Sequence, residues 1–228
     1  MKKVLSIALI AAALLMSACS SENKTVENLK AATLGETSAS THYAAYAKKA
    51  AEEGHLKIAK MFEAASFAES RHAARHLAEL AKLGVTDYVP EVASFEVRTT
   101  AENLQQAIAG EEQEYSKMYP EFIATAIDEK QDGAKEVFEW AKAVEEKHAG
   151  YYKTALESLT NPEVVMAGSW SVCPVCGDTY ITDEAPLACK LCGAPVESFK
   201  VFVAETEPEP ATEAEAAEAS EVPATTAK

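Results

Sequence analysis

Apolar and polar positions repeat with helical spacing over four stretches, at about 24–53, 56–83, 100–128 and 133–159. In the first, Val26, Leu29, Thr33, Glu36, Ser40, Tyr43 and Ala47 recur at steps of three and four. Ile58, Phe62, Ala65, Glu69, His72, His76 and Leu80 do nearly the same in the second. The third carries Leu104, Ile108, Glu111, Tyr115, Met118 and Phe122. The fourth carries Val137, Ala141, Val144, His148, Tyr151 and Ala155, with Glu145 beside Val144. Such steps place residues on one helix face, so each series reads as an inward stripe. Gly54 and Asp132-Gly133 mark short turns, whereas Gly84 to Thr99, with Pro90 and several β-branched residues, reads as a long connection. Two short links around one long one predict a four-helix bundle with a crossover.

The stripes hold what an apolar core should lack. Glu36, Glu69, Glu111 and Glu145 converge on one small interior, where unpartnered carboxylates are costly and repel one another. A multivalent cation resolves this by supplying charge and taking oxygen and nitrogen ligands. Mutual satisfaction among core polar groups leaves too many acids without a partner. The pattern is also duplicated. Glu36 precedes Glu69-Ser70-Arg71-His72 by 33 residues, and Glu111 precedes Glu145-Glu146-Lys147-His148 by 34. Residues three apart share a helix face, so each Glu-x-x-His pair can reach one site. One Glu plus Glu-x-x-His from each half is the two-metal ligand set of ferritin-like carboxylate bundles. Glu114, three residues after Glu111, faces the same site, and the first half has Ala39 at that offset. His76 fits a hydrogen-bonded core or rim histidine better than a ligand. His42 and His55 fall off the pattern and read as surface residues.

Cys173-Pro174-Val175-Cys176-Gly177 and Cys189-Lys190-Leu191-Cys192-Gly193 form two C-x2-C knuckles. Four thiolates at such spacing suit a tetrahedral iron or zinc site. Gly177 and Gly193 permit a left-handed turn that aims amide groups at sulfur. Two disulfides are the alternative, which an exported location would allow. Trp170, Tyr180 and Phe199 are the expected core of this small module, which needs its metal to fold.

The ends behave differently. Lys2 and Lys3 precede an apolar run from Val4 to Ala18, too short for a membrane span of ~20 residues and suited to a secretory signal. Leu15-Met16-Ser17-Ala18-Cys19 resembles a bacterial lipobox, with cleavage before Cys19 and lipid attachment to it. An ordinary cleaved signal or an uncleaved anchor is the alternative. The stretch 204–228 carries seven Glu and one Lys without apolar periodicity and reads as a disordered acidic tail. The formal net charge of -15 argues against a nucleic-acid partner, and 48% hydrophobic residues argue against a wholly disordered or collagenous chain. Five cysteines divide into four metal ligands and one lipid anchor.

From about Lys24 to Phe202 the chain closely resembles the rubrerythrin family. The residues that carry the likeness are Gly35-Glu36, Glu69-x-x-His72, Gly110-Glu111-x-x-Glu114-Tyr115, Met118-Tyr119-Pro120, Glu145-x-x-His148 and both cysteine knuckles, in that order. The export signal and acidic tail depart from typical members. The domains implied are a signal peptide at 1–18, a lipidated N-terminal linker at 19–23, a ferritin-like diiron four-helix bundle at 24–160, a linker at 161–169, a rubredoxin-like domain at 170–203 and the tail at 204–228.

The resemblance implies that Glu36, Glu69, His72, Glu111, Glu114, Glu145 and His148 bind a non-haem diiron centre. It implies that Cys173, Cys176, Cys189 and Cys192 hold a mononuclear iron, with redox-silent zinc as a competitor. Tyr43 and Tyr119 match tyrosines that hydrogen-bond near the diiron centre, and one iron exchanges His72 for Glu114 on oxidation. The implied activity is a peroxidase that reduces hydrogen peroxide to water in oxidative-stress defence, with electrons relayed from the four-cysteine iron. The two sites are expected to lie too far apart within one chain, so a head-to-tail homodimer would bring them together. Export removes the protein from cytosolic nicotinamide cofactors, which points to a membrane-bound or exported electron donor. The Lys-Lys start, with no twin arginine, suggests export before metal insertion. A membrane-anchored lipoprotein of the periplasmic side or cell envelope is the expected location. The competing functions are a ferroxidase or iron-handling protein that uses dioxygen, and a structural lipoprotein with zinc at the cysteines.

Overall fold

The computed structural model describes residues 23–204. The signal, Cys19 and the acidic tail beyond Ala204 lie outside the described residues. Five helices build the bundle: α1 (Lys24–Glu52), α2 (Leu56–Lys82), α3 (Thr100–Gln113), α4 (Tyr119–Asp128) and α5 (Asp132–Ser158). α3 and α4 are two parts of one rod, joined by a π-helical turn at Glu114–Met118. Residues 83–99 cross from α2 to α3 without helix or strand. The ferritin-like bundle with one long crossover is therefore what forms. Apolar clusters around Tyr46, Phe62 and Tyr152 on one side, and Leu29, Tyr119 and Phe138 on the other, flank the inward carboxylates.

The π turn is where the third stripe departs from the sequence reading. Leu104 and Glu111 are buried as expected. Beyond them Tyr115, Met118 and Phe122 are only partly covered, and Tyr119 and Ala126 are buried instead. The Tyr119 amide reaches back five residues to the Glu114 carbonyl, so this turn holds one residue more than an α turn and rotates α4 relative to α3. Pro120 has no N–H for the α-helical ladder, which favours a break at this point.

The extra residue accounts for the unequal repeat. Thr25/Thr100, Gly35/Gly110 and Glu36/Glu111 share one spacing. Tyr43/Tyr119, Glu53/Glu129, Glu69/Glu145 and His72/His148 share a spacing one residue longer. The halves also clasp each other. Glu53, just past α1, accepts a hydrogen bond at 2.8 Å from the Thr100 amide that opens α3. Glu129, just past α4, accepts from the Thr25 and Lys24 amides that open α1, at 2.8 and 3.1 Å. Each carboxylate thus satisfies unpaired amides at the positive end of a helix.

The module is an antiparallel sheet of β1 (Ser169–Val172), β2 (Thr179–Ile181) and β3 (Lys200–Val203) in the order β2-β1-β3. Tyr180 and Phe199 stack at 5.8 Å among the cysteines, as expected. Trp170 does not join them. It is buried in the bundle-side core, edge-on to Tyr151 at 4.7 Å, and docks the module onto the bundle. No helix among the described residues is long and apolar enough to cross a membrane.

Two outcomes are expected. Hydrogen bonds from Thr100 hold the Glu53 carboxyl at about 2, below its ordinary 4.5. Its contribution is therefore complete above that ordinary value and lost as pH falls toward about 2. In urea unfolding, Glu53→Gln should lose about 1 kcal/mol at neutral pH, after screening, and flatten the acid limb. Deleting Ser116 should turn the π turn into a plain α turn and leave a folded bundle. Deleting Gln106 should rotate Leu104 out of the core and cost about 3 kcal/mol or more in the same measurement.

Candidate metal centres

Six side chains meet inside the bundle. Glu36, Glu69, His72 and Glu145 form one buried cluster, and Glu69, Glu111, Glu145 and His148 form a second. His72 Nδ1 lies 2.9 Å from Glu69 Oε2, 2.9 Å from Glu145 Oε1 and 3.5 Å from Glu36 Oε2. His148 Nδ1 lies 3.0 Å from Glu69 Oε1, 3.1 Å from Glu145 Oε2 and 3.9 Å from Glu111 Oε1. Glu69 and Glu145 therefore offer one oxygen to each cluster, while Glu36 and Glu111 each serve one. Ligands about 2.1 Å from an octahedral ion lie about 3 Å apart when adjacent, which the separations from Glu69 and Glu145 match.

The electrostatics ask for cations. Both oxygens of Glu69 and Glu145, Glu36 Oε2 and Nδ1 of both histidines are buried without a hydrogen-bond partner. Burial opposes charge on the histidines, yet the carboxylates outweigh it. Glu145 and Glu36 push His72 well above the ordinary histidine range, and Glu69 and Glu145 push His148 up to about 10. Burial, then Glu145 and Glu69, push the Glu111 carboxyl up. Burial works against charge on Glu36 as well, but His72 and His76 hold its carboxyl well below the usual range. Two divalent ions would cancel the four carboxylates of the two clusters.

The His148 tautomer suits ligation. Its Nε2 lies 3.1 Å from Thr179 Oγ1, and that hydroxyl donates to the Gly177 carbonyl at 3.0 Å. Thr179 must then accept from Nε2–H, so Nδ1, facing the carboxylates, is the nitrogen that gives up its proton to take a metal.

The tyrosines bond reciprocally across the halves. Tyr43 donates to Glu111 Oε1 at 2.6 Å, and Tyr119 donates to Glu36 Oε1. Burial first, then the partner carboxylate, pushes both phenols well up, so they stay protonated as donors. Glu114 stands outside both clusters and lines a cavity of about 230 Å³ between α1 and α3. A larger cavity of about 610 Å³, near Gly54 and Ala204, is remote from both metal sites. His76 is a fully buried core histidine, with Nε2 3.2 Å from the Tyr119 hydroxyl. His55 is half-exposed before α2. His42 is half-buried against Phe95 at 4.1 Å rather than free on the surface.

The four cysteines of the module are free thiols rather than disulfides. The Cys173–Cys192 and Cys176–Cys189 Sγ separations are both 3.5 Å. Thiolates about 2.3 Å from a tetrahedral ion lie about 3.8 Å apart, close to these distances. Amides of Val175 and Cys176 point at the Cys173 sulfur, and those of Leu191 and Cys192 at Cys189. Gly177 and Gly193 are both left-handed, at φ 79° and 76°. Gly177 has a second reason to lack a side chain. A Cβ there would sit 2.5 Å from His72 Nε2 and 2.9 Å from the Ala68 carbonyl.

That contact corrects the expected separation of the two sites. The knuckle carrying Cys176 rests on both histidines of the same chain. Arg75 Nε donates to the Val175 carbonyl at 2.6 Å, Tyr151 donates to the Thr179 carbonyl at 3.3 Å, and Lys147 pairs with the fully buried Asp178. Sequence reasoning missed Lys147, Asp178 and Thr179. Their only local signal is polar residues beside ligand positions, and their partners are remote in sequence.

Fold and sites together define a non-haem diiron protein with a rubredoxin-like iron module. The family pattern described as Rubrerythrin matches residues 27–156. Nigerythrin of Nitratidesulfovibrio vulgaris is 35% identical over 178 residues, covering 78% of this chain and 86% of that protein. Rubrerythrin of Porphyromonas gingivalis is 30% identical over 181 residues, covering 78% and 90%. The fully reduced, all-ferrous nigerythrin structure matches with a TM-score of 0.72 at 32% identity, over 89% of this chain and all of that one. A Mycobacterium tuberculosis bacterioferritin, with a TM-score of 0.53 and 21% identity over 62% of this chain and 90% of that one, shares the fold alone. This chain belongs to the rubrerythrin family.

The Gly177 contact is open to test by urea unfolding. Gly193→Ala, with the same backbone and open space around it, should cost about 1–2 kcal/mol. Gly177→Ala should cost a further 1–3 kcal/mol or so, because its methyl meets His72. Equal losses at the two glycines would show that the knuckle does not press on His72.

Proposed function

We propose that this protein is a peroxidase of oxidative-stress defence that reduces hydrogen peroxide to two waters. The supporting observation is a seventh ligand-type residue, Glu114, held beside a six-residue cage but outside it. When bound, a diferrous pair supplies the two electrons that peroxide needs. The protein's own residues do the rest. Glu69 and Glu145 hold both positions at a fixed separation. Tyr43 and Tyr119 orient the terminal carboxylates Glu111 and Glu36. Glu114 offers an additional hard oxygen ligand on one side only, because Ala39 occupies the matching place in the first half.

We further propose that electrons return from the four-cysteine iron through the knuckle contact, along Cys176, Gly177 and Thr179 to His148. The relay would then operate within one chain. A head-to-tail homodimer would make the same contact by exchanging modules, and a relay that survives dilution to monomers favours the single-chain route. Lipid attachment at Cys19 and an exported, membrane-held location belong to the same proposal, with a membrane-bound or exported donor. Loading zinc at the cysteines would silence the relay, since zinc has no redox change.

Metal analysis should find about three irons per chain, two in the carboxylate cage and one at the cysteines. Rapid mixing of the reduced protein should show faster oxidation by peroxide than by dioxygen. The opposite order would favour the ferroxidase reading and sink the peroxidase. One zinc without iron would defeat both.

A further inference from the structure

The carboxylate cage is covered on most sides. The cysteine module lies over His72 and His148, and aromatic clusters close both flanks. Between α1 and α3 the cover is thin. There Gly35 and Ala39 of α1 face Ala107 and Gly110 of α3 across the cavity of about 230 Å³. Tyr43 and the Glu114 carboxylate line its inner part, while half-buried His42, packed on Phe95 of the crossover, lines it further out.

Two features keep this space open. The first is a missing carboxylate. The two halves match residue for residue up to Glu111, so Glu114 corresponds to Ala39. Where a second glutamate would reach into the gap, a methyl group leaves it empty. The second is the pair of glycines. A Cβ on Gly35 would stand 3.7 Å from Glu114 Oε1, and one on Gly110 would meet no heavy atom within 4 Å. Gly35 therefore leaves room beside the Glu114 carboxylate, and Gly110, exposed on α3, leaves the outer rim of the gap uncovered.

We propose that this gap is the access path by which a small neutral oxidant reaches the cage, and that Glu114 is the first cage-side group it meets. The volume is several times the ~30 Å³ that one water occupies, ample for a molecule the size of hydrogen peroxide. The acid-rich inner end disfavours anions. This deepens the peroxidase reading but does not depend on peroxide being the oxidant, since dioxygen would travel the same way.

The test uses the full-length, iron-loaded, reduced protein and nitric oxide, a neutral diatomic that ligates ferrous iron, followed by stopped-flow absorbance. Ala39→Leu and Gly110→Leu should slow association and dissociation together by about tenfold, with the dissociation constant held within about twofold. That pairing marks an obstructed path, whereas damage to the cage would change the affinity. Gly110→Ala adds one methyl in open space, so it should fold normally and slow both rates by a smaller factor. Ala44→Leu, on an exposed position of α1 away from the gap, should match the parent protein. Association rates unchanged in Ala39→Leu and Gly110→Leu would overturn the proposal, as would equal slowing in Ala44→Leu. Reactivity with dioxygen but not peroxide would overturn the peroxidase reading and leave the nitric oxide result standing.

Discussion

Everything in this molecule depends on four glutamates that share one small interior. Alone they would repel each other and resist burial. The protein answers with two histidines, two tyrosine hydroxyls and space for two cations. The surrounding architecture serves that arrangement. Aromatic clusters flank it, reciprocal clasps at Glu53 and Glu129 tie the halves at their ends, and the cysteine module covers its outer face. The buried charge that would destabilise a bare bundle becomes the means by which metal sets its geometry.

Much of this was legible in the chain, because a ligand in an apolar stripe is a local contradiction. Glu36, Glu69, Glu111 and Glu145 stand out as acids at core spacing, and His72 and His148 stand three residues after acids. The structure brings all six together. The cysteine knuckles were equally readable, since their spacing is short and their glycines are placed by backbone geometry. Glu114 was readable as an extra carboxylate, but its position just outside the cage was not.

What the chain concealed falls into two kinds. The π turn was present as an inequality of one residue between the halves, at 33 and 34. An insertion in a helix leaves several helical phases compatible with the same apolar residues, so Tyr115 and Met118 read as inward when Tyr119 is the buried one. The docking of the module was hidden more deeply. Trp170, Asp178 and Thr179 act through partners on α2 and α5, and no local spacing joins a strand residue to a helix far back in the chain. The expectation that the two metal sites lie far apart within one chain failed for that reason.

The clasp on α1 also gives the molecule a direction. Glu129 pins the start of α1 at one end of the bundle, and Ala204 lies at the other, beside Gly54 and Ser158. Under the proposed lipid anchor, the five residues of 19–23 reach at most about 18 Å. That tether would hold the Glu129 end of the bundle near the membrane, with Ala204 about 40 Å away along the bundle, given the length of α1. The cysteine knuckle rests near the middle of α2, about half that length from the anchored end. So short a tether at one end would let the bundle pivot, which puts the knuckle within reach of donors in the membrane plane as well as beside it.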